Sequence, residues 1–175
     1  MTQSILSRQT VFIGHAFDVE KLQVRLPDGR ERAYDLVSHK DSVTILPMDS
    51  DGSMWFVSQY RMGCECQMLE LPAGVMDEGE TPEVCAAREI REEIGMSAGE
   101  LRLLGSVYLA AGYSSEINHI FLATGLTSAP LEMDEDEFLE VKRFSIEEIR
   151  EMIEKGELVD SKSLAALLLA RAYLK

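Results

Sequence analysis

Basic residues are scarce in this chain: 17 lysines and arginines stand against 31 aspartates and glutamates, for a net charge of −14 over 175 residues. Nucleic-acid binding draws on surplus positive charge to displace counterions from phosphates, so no nucleic-acid partner is expected. A small anionic ligand suits such a chain only where a cation intervenes. Cysteine is scarce as well. Cys64, Cys66 and Cys85 are odd in number and lack CxxC spacing, which argues against a disulfide framework or a structural zinc and fits a reducing cytoplasm. Long apolar runs are missing too. The opening MTQSILSRQT has no stretch of signal-peptide length, and LAALLLARAYL near the C-terminus is too short to span a bilayer. No membrane partner is expected, and the latter run reads as a packing helix behind Ser161 as its cap. Internal repeats, low-complexity stretches and long linkers are absent.

With 46% apolar residues, the chain has enough material for a real core. Its first forty residues read as strands: TVFIGHAF is β-rich, and LQVRL and RAYDLV flank PDGR, a tight-turn sequence, as a hairpin. VTILPM and MWFVSQY follow, separated by a second turn signal, DSDG. Between these regions SHKDS, residues 38 to 42, is short and polar, and it marks a boundary between residues 1–40 and 41–175. A helix is expected over Thr81–Ile94, with Thr81 as N-cap, Pro82 in the first turn, Glu83 favouring the dipole and Gly95 as terminator. LRLLGSVYLA, INHIFLATGL and LEVKRF read as strands, and SIEE is a capping box opening a helix over Ile146–Glu154. Strands, a helix, more strands and two terminal helices indicate a mixed α/β sandwich.

The helix contains a conflict. REIREEIGM, residues 88 to 96, sets Glu89, Glu92 and Glu93 within an arc of roughly 100°. Opposite them Ala86, Ala87, Ile90 and Ile94 form an apolar stripe that can be buried while the acids face outward. At about 6 Å and an effective dielectric near 20, each glutamate pair repels by about 3 kcal/mol. Charge runs are ordinarily solvated faces. Something should compensate this repulsion, and a divalent cation is one candidate. Hard cations prefer oxygen donors, and carboxylates on a rigid helix supply them.

Gly74 is followed after five residues by Glu80 and, after seven more, by Arg88-Glu89-Ile90, then Glu92, Glu93, Ile94, Gly95 and Met96. This is the pattern Gx5Ex7REUxEExGU, with U a bulky aliphatic residue. It resembles the Nudix box of hydrolases that cleave a nucleoside diphosphate linked to another group. The resemblance implies an α/β fold, a Nudix α/β/α sandwich with an N-terminal antiparallel β subdomain. It also implies Mg²⁺, or Mn²⁺, as cofactor. Glu89 and Glu93 would coordinate metal directly, Glu92 directly or through water, and Ala73 through its backbone carbonyl. Gly74, Glu80 and Arg88 would be structural, with Arg88 holding Glu92 at i,i+4 spacing and Glu80 neutralising Arg88. Cys85 falls on the acidic side of the helix and reads as a passive small residue.

VSQYR and LELPAGVMDEGE, with the β-rich segment before them, look like the ADP-ribose pyrophosphatase branch. In that branch the N-terminal subdomain exchanges across a homodimer and helps build the nucleoside pocket. Arg61 would pair with substrate phosphate, for which its fork of donors is suited. In MDEDEFLEV, Glu137 is the first choice and Glu135 the second for the residue that orients or deprotonates the attacking water. LAAGYSSE keeps the branch's Gly-aromatic-Ser-x-Glu pattern, and its Glu116 joins Arg61 as a substrate-binding candidate. Leu109 and Ala111 stand where that branch commonly has prolines, which leaves other substrates open, GDP-mannose and other ADP-sugars among them. Tyr113 and Trp55 are aromatics for stacking or for core packing. The expected reaction is hydrolysis of the diphosphate of ADP-ribose or a related nucleoside diphosphate sugar to a nucleoside monophosphate and a sugar phosphate. Alternatives are a Nudix hydrolase for a dinucleoside polyphosphate or oxidised nucleoside triphosphate, and a non-catalytic nucleotide-sugar sensor. An intact box argues against the sensor.

Overall fold

The computed structural model describes residues 2–132 and 138–174. The chain divides into two compact units, Met1–Asp41 with Tyr108–Ile117, and Ser42–Val107 with Asn118–Lys175. The first break falls inside SHKDS. The return of residues 108–117 to the N-terminal unit was not expected from the sequence, because strand periodicity says nothing about which sheet a later segment joins.

The first unit is an antiparallel sheet in the order β1 (Ser4–Ile13), β2 (Asp18–Arg25), β3 (Glu31–Ser38). The expected PDGR hairpin joins β2 and β3. Leu26 N donates to Arg30 O at 2.8 Å, Gly29 N to Leu26 O at 3.0 Å, and Gly29 takes φ +86°, a conformation for which a residue without Cβ is suited. On β2, Leu22 and Val24 are buried and their neighbours exposed, the period-2 signature of a half-buried strand. Residues 113–115 join this unit by backbone bonds, Val37 N to Tyr113 O at 2.7 Å and Ser115 N to Val37 O at 3.0 Å.

The second unit runs β4 (Ser42–Pro47), β5 (Met54–Arg61), β6 (Cys66–Glu70), β7 (Ala73–Val75), α1 (Pro82–Glu93), β8 (Met96–Ser97), β9 (Glu100–Tyr108), β10 (Ile117–Thr124), β11 (Thr127–Ser128), β12 (Glu140–Phe144), α2 (Ile146–Lys155) and α3 (Ser161–Leu169). One sheet has the order β7-β4-β10-β9, a second β12-β5-β6, and β8 pairs with β11. The DSDG turn forms, with Gly52 N bonded to Asp49 O at 2.9 Å, yet the strands it joins enter different sheets. After the turn they share only the Met48–Met54 bridge. β4 instead runs parallel to β10, pairing Ile45 with Phe121.

Every residue of β4 is buried because helices cover both of its faces. Val43 and Ile45 pack with Phe121, Ala123 and the α1 residues Cys85, Ala86 and Ile90. Leu46, Ile120 and Leu122 pack on the other side with Ile149 of α2 and Ala166 and Leu167 of α3. This is an α/β/α sandwich. α1 starts as expected, Val84 N donating to Thr81 Oγ1 at 3.4 Å, and Gly95 follows at φ +70°. The capping box at Ser145 and Glu148 is complete. The cap of α3 is Asp160, one residue earlier than expected. Asp160 accepts from Ser163 N at 2.9 Å, and its carboxylate displaces the weaker hydroxyl of Ser161 from that role. Among the described residues no helix is long and apolar enough to cross a membrane.

Candidate active site

α1 lies against β4 and β7. Its burial departs from the simple two-sided pattern. Ala87, assigned to the apolar stripe, is exposed, whereas Cys85, Glu89 and Glu93 are buried. These three are spaced four apart and form one row beside Ala86 and Ile90, so Cys85 does lie on the acidic side, but that side faces protein. Burial pushes the Cys85 thiol up to about 12, helped by the nearby Glu89 carboxylate, which makes it inert as a nucleophile. Glu89 is 6% and Glu93 3% exposed. Taking a carboxylate out of water costs several kcal/mol, so stability alone would favour an apolar residue in either place.

Backbone and guanidinium groups offset part of that cost. Ala73 N donates to Glu93 Oε2 at 3.2 Å. Arg88 Nη1 lies between two acids, 2.7 Å from Glu89 Oε1 and 2.8 Å from Glu92 Oε2. Its Nε and Nη2 reach Glu80 at 2.9 and 3.0 Å, and Asp77 N adds a bond to Glu80 at 2.9 Å. Arg88 thus makes both pairings expected from the spacing. Its hydrogen bonds outweigh the burial of Glu80 and hold that carboxyl down to about 2. Arg88 itself is raised well above the usual arginine range, first by Glu80. Three carboxylates meet one guanidinium, and with Glu93 on the same helix the cluster carries excess negative charge.

Among the described residues no three acidic, histidine or cysteine side chains already converge as an ion cage. Glu89 and Glu92 close on Arg88 instead. The donor set still fits a hard cation: the groups are carboxylates, the excess charge is negative, and the backbone of Gly74 leaves open the space in which Glu89 lies. A Cβ at position 74 would overlap the Glu89 carboxylate. Gly74 stands opposite Val43 across β4 and β7, so the sheet fixes how closely it approaches the helix.

Arg61, at the end of β5, lays a fork on Glu70 of β6, with Nε and Nη2 at 2.6 and 3.0 Å. Burial works against its charge and the Glu70 bonds outweigh that, raising its pKa. The sequence reading did not single out Glu70. It is 1% exposed, it also pairs with Lys162, and Lys162 bonds Asp160 at 2.9 Å. The available signal was a lone acid between Leu69 and Leu71 in an apolar strand. Ser163 Oγ accepts from Leu71 N at 2.8 Å and ties the same strand to α3.

Glu116 belongs to the N-terminal unit, where its carboxylate is 4.0 Å from His39 Nδ1 and its N–H meets Ser114 Oγ at 3.2 Å. Glu135 and Glu137 lie outside the described residues. Trp55 packs beside the α1 core and donates to Asp49 at 3.1 Å, whereas Tyr113 is exposed. His119 bonds Ser106 at 2.8 Å, as suits a satisfied strand residue.

An α/β/α sandwich in which one helix buries glutamates beneath a glycine-bearing strand gathers oxygen donors of the kind that hydrolases of phosphoanhydride bonds use to hold a divalent ion. The NUDIX domain model matches residues 38–167, and the chain belongs to that family. Its hydrolases generally need a divalent metal. The chain is 32% identical over 169 residues to the ADP-ribose pyrophosphatase of Bacillus subtilis (strain 168), spanning 95% of this chain and 91% of that protein. It is 35% identical over 170 residues to the ADP-ribose pyrophosphatase of Mycobacterium tuberculosis (strain ATCC 25618 / H37Rv), spanning 95% and 82%. A crystal structure of an ADP compounds hydrolase matches with a TM-score of 0.89 at 28% identity, covering 99% of this chain and 95% of that one.

Proposed function

We propose that this protein hydrolyses the diphosphate bond of ADP-ribose or a closely related nucleoside diphosphate sugar, with Mg²⁺ as cofactor, giving a nucleoside monophosphate and a sugar phosphate. The burial of Glu89 and Glu93 at a cost to stability, with a glycine that leaves Glu89 room, carries this reading. Relatives that act on ADP-ribose over nearly the whole chain support the substrate.

Glu89, Glu93 and Glu92 would hold the divalent ion, with the carbonyl of Ala73. Bound there, the ion would polarise a phosphoryl oxygen and lower the pKa of a water. Arg88 keeps Glu92 and Glu89 on one side of the helix, and Glu80 anchors Arg88. Gly74 keeps the space open. Arg61, oriented by Glu70, supplies donors to a substrate phosphate. Glu116 is a second substrate-binding residue, and Glu137, with Glu135 as the alternative, orients or deprotonates the attacking water.

The N-terminal unit, residues 1–40 in the sequence reading, is proposed as the dimerisation element. β1 is an edge strand exposed along its whole length, with Phe12 at 56% and Ile13 at 80% exposure, and such a surface calls for a partner. Three free thiols fit a cytoplasmic location.

Incubation with a panel of nucleotides and Mg²⁺, followed by chromatography, tests the reading. AMP and ribose 5-phosphate from ADP-ribose are the expected products. Faster turnover of nucleoside triphosphates or dinucleoside polyphosphates would overturn it, and so would tight ADP-ribose binding without any metal-dependent cleavage. Leu109 and Ala111 depart from the ADP-ribose branch and make GDP-mannose the second substrate for that panel.

A further inference from the structure

Cys64, in the turn after β5, and Cys66, the first residue of β6, flank Glu65, and both thiols are exposed. Their sulfurs are 3.2 Å apart, with Cys66 Sγ donating to Cys64 Sγ. The backbone brings them together. Glu65 is the one non-glycine residue among those described with a positive φ, +53°, a conformation disfavoured for a residue with a Cβ. Glu65 folds the chain back sharply, so side chains two residues apart converge. Cys85, the remaining cysteine, is buried in the α1 core and offers neither sulfur a competing partner.

A disulfide requires sulfurs about 2.05 Å apart. From 3.2 Å, a small adjustment of the exposed turn and its side chains closes the difference. We propose that Cys64 and Cys66 are a redox-modification site, a dithiol that a low-molecular-weight disulfide such as glutathione disulfide closes to an intrachain disulfide.

In the first step the Cys64 thiolate attacks one sulfur of glutathione disulfide, forming a mixed disulfide and expelling one glutathione thiolate. Cys66 then attacks the Cys64 sulfur and expels the second. Two protein thiols give up two protons and two electrons, and one molecule of glutathione disulfide takes them up as two thiols. The hydrogen bond to Cys64 raises the Cys66 thiol above its usual value, so Cys66 keeps its proton while Cys64 makes the first attack and gives it up to solvent in the second step.

Closure alters the turn that follows Arg61 at the end of β5. Cys64 donates to Arg61 O twice, from its N–H at 3.3 Å and from Sγ at 3.4 Å. A disulfide removes the sulfur donor and redirects the turn. This consequence, unlike the disulfide itself, rests on the proposed role of Arg61 in binding substrate. Loss of about one hydrogen bond's worth of positioning corresponds to a KM for ADP-ribose raised about 3- to 10-fold, with kcat little changed.

The test treats the full chain with glutathione disulfide, alkylates the remaining thiols and measures intact mass. The expected product is lighter by two hydrogens, has lost two alkylatable thiols and is restored by dithiothreitol, whereas Cys66→Ser stops at one glutathione adduct. Two stable adducts, a chain-to-chain disulfide, or no reaction where a reference dithiol peptide is oxidised would overturn the site. KM is read separately against Arg61→Ala. If that variant raises KM and oxidation does not, the link to Arg61 is overturned. If Arg61→Ala leaves KM unchanged, the substrate role of Arg61 fails, and the mass measurement alone decides the disulfide.

Discussion

The space that a Cβ on Gly74 would fill is taken by the carboxylate of Glu89. A strand residue on β7 and a helix residue on α1 are thereby fitted to each other, and neither side chain could be chosen without the other. Gly74→Ala meets the far end of a flexible side chain, so the fold should survive with a small loss of stability. Glu89 must swing away, however. Misplacement by about 1 Å costs roughly 10²-fold in a positioned site. Circular dichroism melts beside ADP-ribose turnover check this, and a variant as active as wild type would refute the fitted contact.

Glu93→Gln keeps the shape and an oxygen that can accept from Ala73 N, and it removes a buried charge. Stability without metal should therefore hold or rise. Turnover should fall by about 10²-fold or more if this carboxylate holds the ion. Thermal shift with Mn²⁺ separates the two effects. Wild type should gain about 2.7 kcal/mol at a hundred times its Kd, and the variant much less at the same concentration. Equal Mn²⁺ shifts would remove Glu93 from the ligand set.

Acid should dismantle the Glu80–Arg88 pair in a defined window. The folded carboxyl sits at about 2, below its ordinary 4.5. A depressed pKa stabilises the fold above the unfolded value and loses that contribution as pH falls through the folded one. Wild type should exceed Glu80→Gln in stability above pH about 4.5, with the gap closing toward pH 2. Urea melts across that range measure it, and a gap independent of pH would show that Glu80 is not ionically held.

Glu70→Ala strands Lys162 and Arg61 beside an empty acceptor, and breaking a buried pair costs about 3–5 kcal/mol. Glu70→Gln retains one acceptor oxygen and should cost less. In the proposed reaction Glu70→Gln should raise KM more than it lowers kcat, because it loosens Arg61 without touching the acids of α1. A urea series with steady-state kinetics tests both parts. A kcat defect at unchanged KM would place Glu70 elsewhere in the mechanism.

Much of this molecule could be read along the chain. The α1 cap at Thr81, the Ser145–Glu148 box, the PDGR hairpin and the Arg88–Glu80 and Arg88–Glu92 pairings all depend on residues within about eight positions of one another. Helical and turn geometry dictates them with little help from the rest of the fold. The reading of α3 missed by one residue because Ser161 and Asp160 are adjacent cap formers, and the stronger acceptor won.

Residue order also supplied the spacing of the box, and with it the family. It could not say that Glu89 and Glu93 are buried, that Glu70 gathers Arg61 and Lys162, or that the strands flanking DSDG enter different sheets. Those outcomes depend on surfaces far apart in sequence meeting across β4, β7, α1 and α3. A carboxylate's exposure is set by whatever packs over it, and no periodicity in its own segment carries that information.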